Sequence, residues 1–400
     1  MRTRLLGALR NHNYRLWVGG ALVSNVGTWM QRAAQDWLVL TQLTHHNANA
    51  LGWVMALQFA PQVLLVPWTG LAADYFNQRR LLMLTQLLMA VLSLILALLT
   101  LAKIVRLWEV DVFAFFLGCV TAFDSPARQA FVSELVEDED LPNAVALNST
   151  NFNAARMVGP AAAGLLISSV GTGWAFLLDG VSFAAVLVAL HCMRTNELRS
   201  TKRVAKRGGN MAEVLRYVIK RPDLGCTLMM LALIGTFGLN FPLFISVMAV
   251  RVFNAGPEGF GFLSSCMALG TIAGALLTAA IQRPSFQMQF GGAALFTLGC
   301  FGCAIAPGYI SFAVALVVSG LAVLTFLTAT TSLMQLATEP SMRGRMMALR
   351  FAVATGGMPI GAPMLGWVAD RFGPRWAVGL GALSGLLAVL LAARVIKRTR

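Results

Sequence analysis

Long apolar runs, separated by short polar or basic breaks, recur from one end of this chain to the other. Read by length and by breaks, they predict helices near residues 16–40, 50–72, 81–102, 108–126, 142–170, 174–193, 223–250, 259–281, 288–306, 309–330, 344–368 and 375–394. A helix needs about 20 apolar residues to cross the hydrocarbon core of a bilayer, and these runs have that length. Closed barrels also satisfy their backbone in lipid. Barrel strands, however, alternate apolar and polar residues over segments of about 10, and no such alternation occurs here. The expectation is an all-α membrane protein with twelve transmembrane helices and both termini on one side.

The pattern also repeats. At an offset of 202, Ala146-Leu147 matches Ala348-Leu349, Gly159 matches Gly361, Gly164 matches Gly366, Gly171 matches Gly373 and Trp174-Ala175 matches Trp376-Ala377. At an offset of 204, Gly70 and Arg79 match Gly274 and Arg283. This predicts two six-helix bundles, 1–193 and 223–400, joined by a basic cytoplasmic linker at 194–222. A repeated bundle of this kind is the plan of many secondary transporters, with the site expected between the bundles near the midplane.

Composition agrees: 57% of the 400 residues are hydrophobic, 12% are charged, and the mean hydropathy is +0.70. Soluble domains carry about 25% charged residues. The net charge of +14 would suggest nucleic acid in a soluble chain, but here its distribution decides the reading. Of the Lys and Arg, 23 fall at the ends and in one set of loops (79–80, 128, 194–221, 283, 343–345), and five in the opposite set. That bias places both termini and the central linker in the cytoplasm. The run Arg199–Arg207 then reads as a topology anchor against anionic headgroups, with no nucleic-acid partner. The six cysteines lie in or beside apolar runs, and Cys300-x-x-Cys303 lacks a βαβ context. The first run, about 25 residues long, has no clear cleavage site and reads as a retained first span rather than a signal peptide.

Few polar residues are placed to do chemistry. The loop Gly70-Leu71-Ala72-Ala73-Asp74-Tyr75-Phe76-Asn77-Gln78-Arg79-Arg80 sets a carboxylate at one helix end against two cations, a pairing able to lock one conformation and release in another. Positive-inside anchoring is the plainer reading. The second-half counterpart has Thr278 where Asp74 stands, so a latch would be one-sided. In span five, Ser149, Asn153, Arg156 and Pro160 share one helical face, and polar groups in lipid normally face a cavity or a partner. Asp36 and Asp179 are the acids expected to be embedded, with Arg32 one turn before Asp36. The pair is either a static salt bridge or a proton-coupling device in which Asp36 alternates between Arg32 and Arg156. Arg350 is either a second interior charge or an interfacial side chain snorkelling to the cytoplasm. Asn25, Gln58, Gln62, Asn148, Asn153 and Asn240 could offer hydrogen bonds to a substrate. The stretch Asp124–Arg128 is expected to close span four as a cap and turn. No nucleotide loop, catalytic triad or metal cluster is present in the sequence, so neither an enzyme nor an ATP-driven pump is indicated.

These motifs resemble the major facilitator superfamily over nearly the full length. The likeness lies in Asn13-Tyr14-Arg15-Leu16-Trp17, Trp29-Met30-Gln31-Arg32, the loop at 70–80 and Arg156-x-x-Gly159-Pro160. The branch most similar holds drug:proton antiporters and enterobactin-type siderophore exporters. The resemblance implies that Gly70, Asp74, Arg79 and Arg80 fasten the cytoplasmic side of the outward-facing state. It also implies that Gly159, Pro160 and Gly164 form a helix-packing antiporter motif, although Ala155 stands where that motif begins with glycine. The family's span-four arginine motif is missing from 108–123. The implied function is export of a small organic molecule, a siderophore or a hydrophobic drug, by a functional monomer that uses the proton gradient and no cofactor. A proton-coupled importer and a non-transporting sensor are the alternatives.

Overall fold

The computed structural model describes residues 7–66, 68, 69, 72, 76–199, 211–280, 285–339 and 342–399. Every regular element among them is helical. In the first half these are α1 (His12–Trp37), α2 (Ala48–Leu64), α3 (Gln78–Leu101), α4 (Leu107–Leu135), α5 (Leu141–Val170) and α6 (Thr172–Cys192). A short α7 (Met211–Ile219) follows, then α8 (Pro222–Leu233), α9 (Phe241–Arg251), α10 (Pro257–Ala280), α11 (Phe286–Ile305) and α12 (Tyr309–Ala337). The chain ends with α13 (Arg343–Gly356), α14 (Met358–Arg371) and α15 (Pro374–Thr399).

Eight spans among the described residues are long and apolar enough to cross a membrane, counting Pro222–Arg251 and Arg343–Arg371 as one span each. The other predicted runs fall on α1, α2, α4 and α5. In α1 the reason is visible in the sequence: Gln31, Arg32, Gln35 and Asp36 dilute its apolar character. Large apolar side chains such as Leu98, Leu276, Leu298 and Ile310 stay exposed along the helices, as a lipid-facing surface requires.

Helix ends follow local chemistry. The Asn11 side chain accepts the Tyr14 backbone N–H at the start of α1, and Asn77 accepts that of Arg80 at the start of α3. Such caps satisfy donors that the helix itself cannot. Gly171 (φ 98°) closes α5 and Gly373 (φ 104°) follows the end of α14. A left-handed backbone suits glycine at these points, and the two positions are 202 apart, so the sequence repeat is also a conformational one.

Several predicted boundaries change. The fourth run does not end at 126: α4 continues to Leu135 through Pro126, and α12 continues to Ala337. The run 223–250 is interrupted by a π-helical turn, Ile234–Gly238, after which Asn240 precedes α9 with Pro242 in its first turn. Gly357 breaks the run 344–368. The linker contains α7, whose Val214 and Val218 are buried. It is held by Tyr217 Oη donating to the Ala337 carbonyl (3.2 Å) and by an ion pair of Arg345 with Glu213 (2.6 Å).

By packing, the chain forms two compact units: Met1–Leu38 with Pro61–Lys206, and Val39–Ala60 with Arg207–Arg400. Residues 39–60, which the repeat assigns to the first bundle, pack with the second unit. The first unit has a core around Trp17, whose ring meets Phe131 edge-on at 5.3 Å, and Tyr14, whose hydroxyl donates to the Ala144 carbonyl at 2.8 Å.

Candidate transport site

In the first unit, α1, α5 and α6 bring the predicted interior charges together. The link between α1 and α5 depends on Gly159: a β-carbon there would stand 2.5 Å from Trp29 Cβ and 2.9 Å from the Met30 backbone nitrogen. Pro160 and Gly164 are buried beside it. This is the close approach that small residues permit between membrane helices. Trp29, held at this crossing, carries two cations on its ring. Arg32 lies 5.1 Å and Arg156 5.5 Å from the ring centroid, within cation–π range. The two guanidinium groups repel each other across it, while Arg32 is attracted to both Asp36 and Asp179.

The two acids are buried, Asp36 7% and Asp179 3% exposed. Asp179 Oδ2 accepts from Ser93 Oγ at 2.8 Å. Its Oδ1, which faces Gly27 of α1, has no hydrogen-bond partner, and neither has Arg32 Nε. Unsatisfied polar atoms at a membrane protein's interior are costly. Here they belong to opposite charges within one cluster.

A second charged group was not legible as such. Asp124 is 4% exposed and sits within α4, where it neither caps nor ends the helix as expected. Its Oδ1 accepts from Thr85 Oγ1 (2.7 Å) and Gln86 Nε2 (2.8 Å) of α3, and its Oδ2 from Arg128 Nε (2.5 Å). The Arg128 guanidinium also lies 5.6 Å from the Trp17 ring centroid. Arg128 thus leaves the set of cytoplasmic loop charges without altering the bias, and α4 carries an interior arginine after all. Pro126 suggested a break. The usable signal was the i, i+4 spacing of Asp124 and Arg128 on a run whose apolar pattern resumes at Ala130-Phe131-Val132.

Between these groups lies a cavity of about 600 Å³, enclosed by α1, α3, α4 and α5. Asn25, Arg32, Asn148 and Asn153 line it, with Asp124 and Arg128 on the opposite helix. The polar face predicted on α5 divides: Ser149 and Asn153 reach the cavity, whereas Arg156 turns to Trp29 and Pro160 is buried. Asp36, Arg156 and Asp179 stand behind the lining, and Arg32 belongs to both groups.

Other candidates lie elsewhere. Gln58 is buried in the second unit, and Gln62 is half-buried and outside the lining. Asn240, wholly buried in the second unit, donates to the Thr236 carbonyl at 2.7 Å and leaves its Oδ1 unpartnered. Arg350 is half-buried and donates to the Leu327 carbonyl (3.3 Å), with Nε unpartnered. Of the proposed latch, Gly70 and Asp74 lie outside the described residues, as does Arg283 of its second-half counterpart. Arg80 is exposed. Arg79 Nε donates to the Leu190 carbonyl at 2.8 Å, placing its charge at the carbonyl end of α6, where a cation is favoured.

The profile described as transmembrane secretion effector matches residues 4–399, almost the whole chain. The chain belongs to this family of major facilitator transporters. Among its relatives, the staphyloferrin A transporter of Staphylococcus aureus is 25% identical over 87% of each chain. Macrolide efflux protein A of Streptococcus pyogenes is 25% identical over 95% of this chain and 94% of its own. The multidrug efflux pump Tap of Mycolicibacterium fortuitum is 27% identical over 88% of both. The fold matches a bacterial homologue of the human lysosomal transporter Spinster, inward-facing and occupied, with a TM-score of 0.76 at 13% identity over 95% and 96% of the two chains. It also matches an inward-facing bacterial homologue of ferroportin, with a TM-score of 0.72 at 15% identity over 96% and 98%. This member of the family is therefore a multi-pass membrane transporter rather than an enzyme, and it exports small molecules.

Proposed function

We propose that the chain is a proton-coupled exporter working by alternating access, with its ligand cavity in the first unit and its proton-carrying acids at Asp36 and Asp179. One observation supports this above others: Arg32 lines the cavity and is also the cation facing both buried acids. Neutralising an acid changes what Arg32 is attracted to, and a ligand at Arg32 competes for the same charge. Protonation and ligand binding are thereby coupled through one side chain. The names of the relatives support a siderophore or a hydrophobic drug as cargo. In this reading twelve spans form two bundles, 1–193 and 223–400, in a bacterial inner membrane with both termini cytoplasmic. The protein works as a monomer and needs no cofactor, and Gly70, Asp74, Arg79 and Arg80 fasten the cytoplasmic side.

The test uses proteoliposomes with an acidic lumen, offered a hydroxycarboxylate siderophore or ethidium from outside. Protons leaving the lumen should drive accumulation, and an uncoupler should abolish it. Asp36→Asn and Asp179→Asn should lose gradient-driven accumulation yet keep exchange of labelled for unlabelled ligand at equal pH. Undiminished accumulation in both variants would sink the assignment of the acids.

A further inference from the structure

We propose that the first-unit cavity selects an organic acid, with Arg32 receiving a carboxylate of the ligand. This rests on the reading of that cavity as the transport site and adds the chemical class of the cargo. Three charged side chains line the cavity: Arg32, Asp124 and Arg128. Two of them are already committed. Both Asp124 oxygens are engaged, one by Thr85 and Gln86 and the other by Arg128, so this acid has no free face for a cationic ligand, and Arg128 spends its charge on it. Arg32 is left with a donor, Nε, that nothing satisfies. Of its acidic neighbour Asp179, Oδ2 is bonded to Ser93, and Oδ1 faces Gly27 of α1 without a hydrogen-bond partner.

A guanidinium presents its N–H donors in a planar fork that matches a carboxylate in two parallel hydrogen bonds. The rest of the wall suits a hydroxylated or amide-bearing acid. Asn25 gives its Nδ2 hydrogen to Asn151 (3.3 Å) and Asn153 gives one to the Ser149 carbonyl (2.9 Å), so each turns a carbonyl oxygen to other donors. Phe152 supplies an apolar wall and is 46% exposed. At about 600 Å³ the cavity lies within the range of small-molecule sites, about 300–1,000 Å³. A cationic drug would meet Arg32 across the same space, with Asp36 and Asp179 behind the lining and both Asp124 oxygens already engaged.

The test is equilibrium binding to the full chain in lipid nanodiscs, with citrate as the probe and its uncharged triethyl ester, inorganic phosphate and ethidium as comparisons. Citrate should bind and the ester should not. Arg32→Gln should weaken citrate by roughly 10- to 100-fold, the loss expected for a charge-assisted hydrogen bond, and Arg32→Lys should recover part of it. Monodispersity and an unchanged unfolding midpoint establish that the variants are folded. Ester binding equal to citrate, citrate binding indifferent to Arg32→Gln, or phosphate binding as tightly with the same Arg32 dependence would each overturn the proposal. Failure of the transport reading looks different: Arg32-dependent citrate binding without gradient-driven flux leaves this site standing. Gradient-driven flux of ethidium that survives Arg32→Gln leaves transport standing but removes both the coupling through Arg32 and the organic-acid assignment.

Discussion

At the scale of single residues, the buried Asp124–Arg128 pair has the clearest energetic consequence. Removing one member of a buried ion pair leaves the other charge without compensation, at a cost of about 3–5 kcal/mol, whereas replacing both by apolar groups is often neutral. Asp124 also accepts from Thr85 and Gln86, so its loss leaves the Gln86 amide without this acceptor, while Thr85 keeps the Leu82 carbonyl at 3.1 Å. Asp124→Ala should therefore lower the thermal unfolding midpoint in detergent sharply, and Asp124→Ala combined with Arg128→Leu should regain the part owed to the unpaired arginine, leaving the part owed to Gln86. Equal midpoints for the single and double variants would show that the pair is energetically unimportant. The contrast with Asp36 and Asp179 explains what the sequence could reveal at this scale. An acid in an otherwise apolar run stands out on composition alone, and so does an arginine one turn away. Asp124 does not, because Ser125-Pro126 imitates a helix end, and its partners Thr85 and Gln86 are 39 and 38 positions distant. Pairing between helices leaves no mark within either one.

At the scale of elements, helix identity was legible and helix interruption was not. The apolar runs predicted which segments coil, since burial and lipid both demand internally bonded backbone. The breaks at Ile234–Gly238 and Gly357 depend on contact: a β-carbon on Gly361 would run into the Thr236 carbonyl oxygen, and one on Gly357 would run into Thr236 Oγ1. These glycines let α14 pack against the π-helical turn. Gly361 is the repeat partner of Gly159, which performs the same service between α5 and α1. The start of α2 shows a further device that no local motif announced. Asp370, near the end of α14, accepts the backbone N–H groups of Ala48 (3.0 Å) and Asn49 (2.9 Å) and the Arg251 guanidinium (2.6 Å). A carboxylate at a helix start satisfies orphan donors and complements the helix dipole. Asp370→Ala should therefore raise amide hydrogen exchange at Ala48, Asn49 and the following turn of α2, with little change at α3. Unchanged protection there would mean that neighbouring contacts hold the helix start without the carboxylate.

At the scale of the whole molecule, the distribution of charge governs orientation. Counting Arg128 as interior, the excess of Lys and Arg on one side of the chain's loops remains more than fourfold, and such an excess in short loops and near span ends sets orientation. Arg79 and the exposed Arg80 sit at the start of α3, whereas Lys103 and Arg106 follow its other end, so α3 alone separates one loop of each class. Fusions at its two ends make the test local. A fluorescent protein that matures only in the cytoplasm should be bright when fused after Arg400. Alkaline phosphatase, active only outside the cytoplasm, should be active when fused after Ile104 and inactive when fused after Gln78. Removing two arginines, by Arg79→Gln with Arg80→Gln, should lower the phosphatase activity of the Ile104 fusion without abolishing it, because the four arginines of the first fifteen residues remain. An active phosphatase after Gln78 in the unaltered chain would invert the orientation. The Arg79–Arg80 end of α3 would then face outward, while coupled exchange through Arg32 would still run outward for the ligand, because the proton gradient and not the protein's orientation sets its direction.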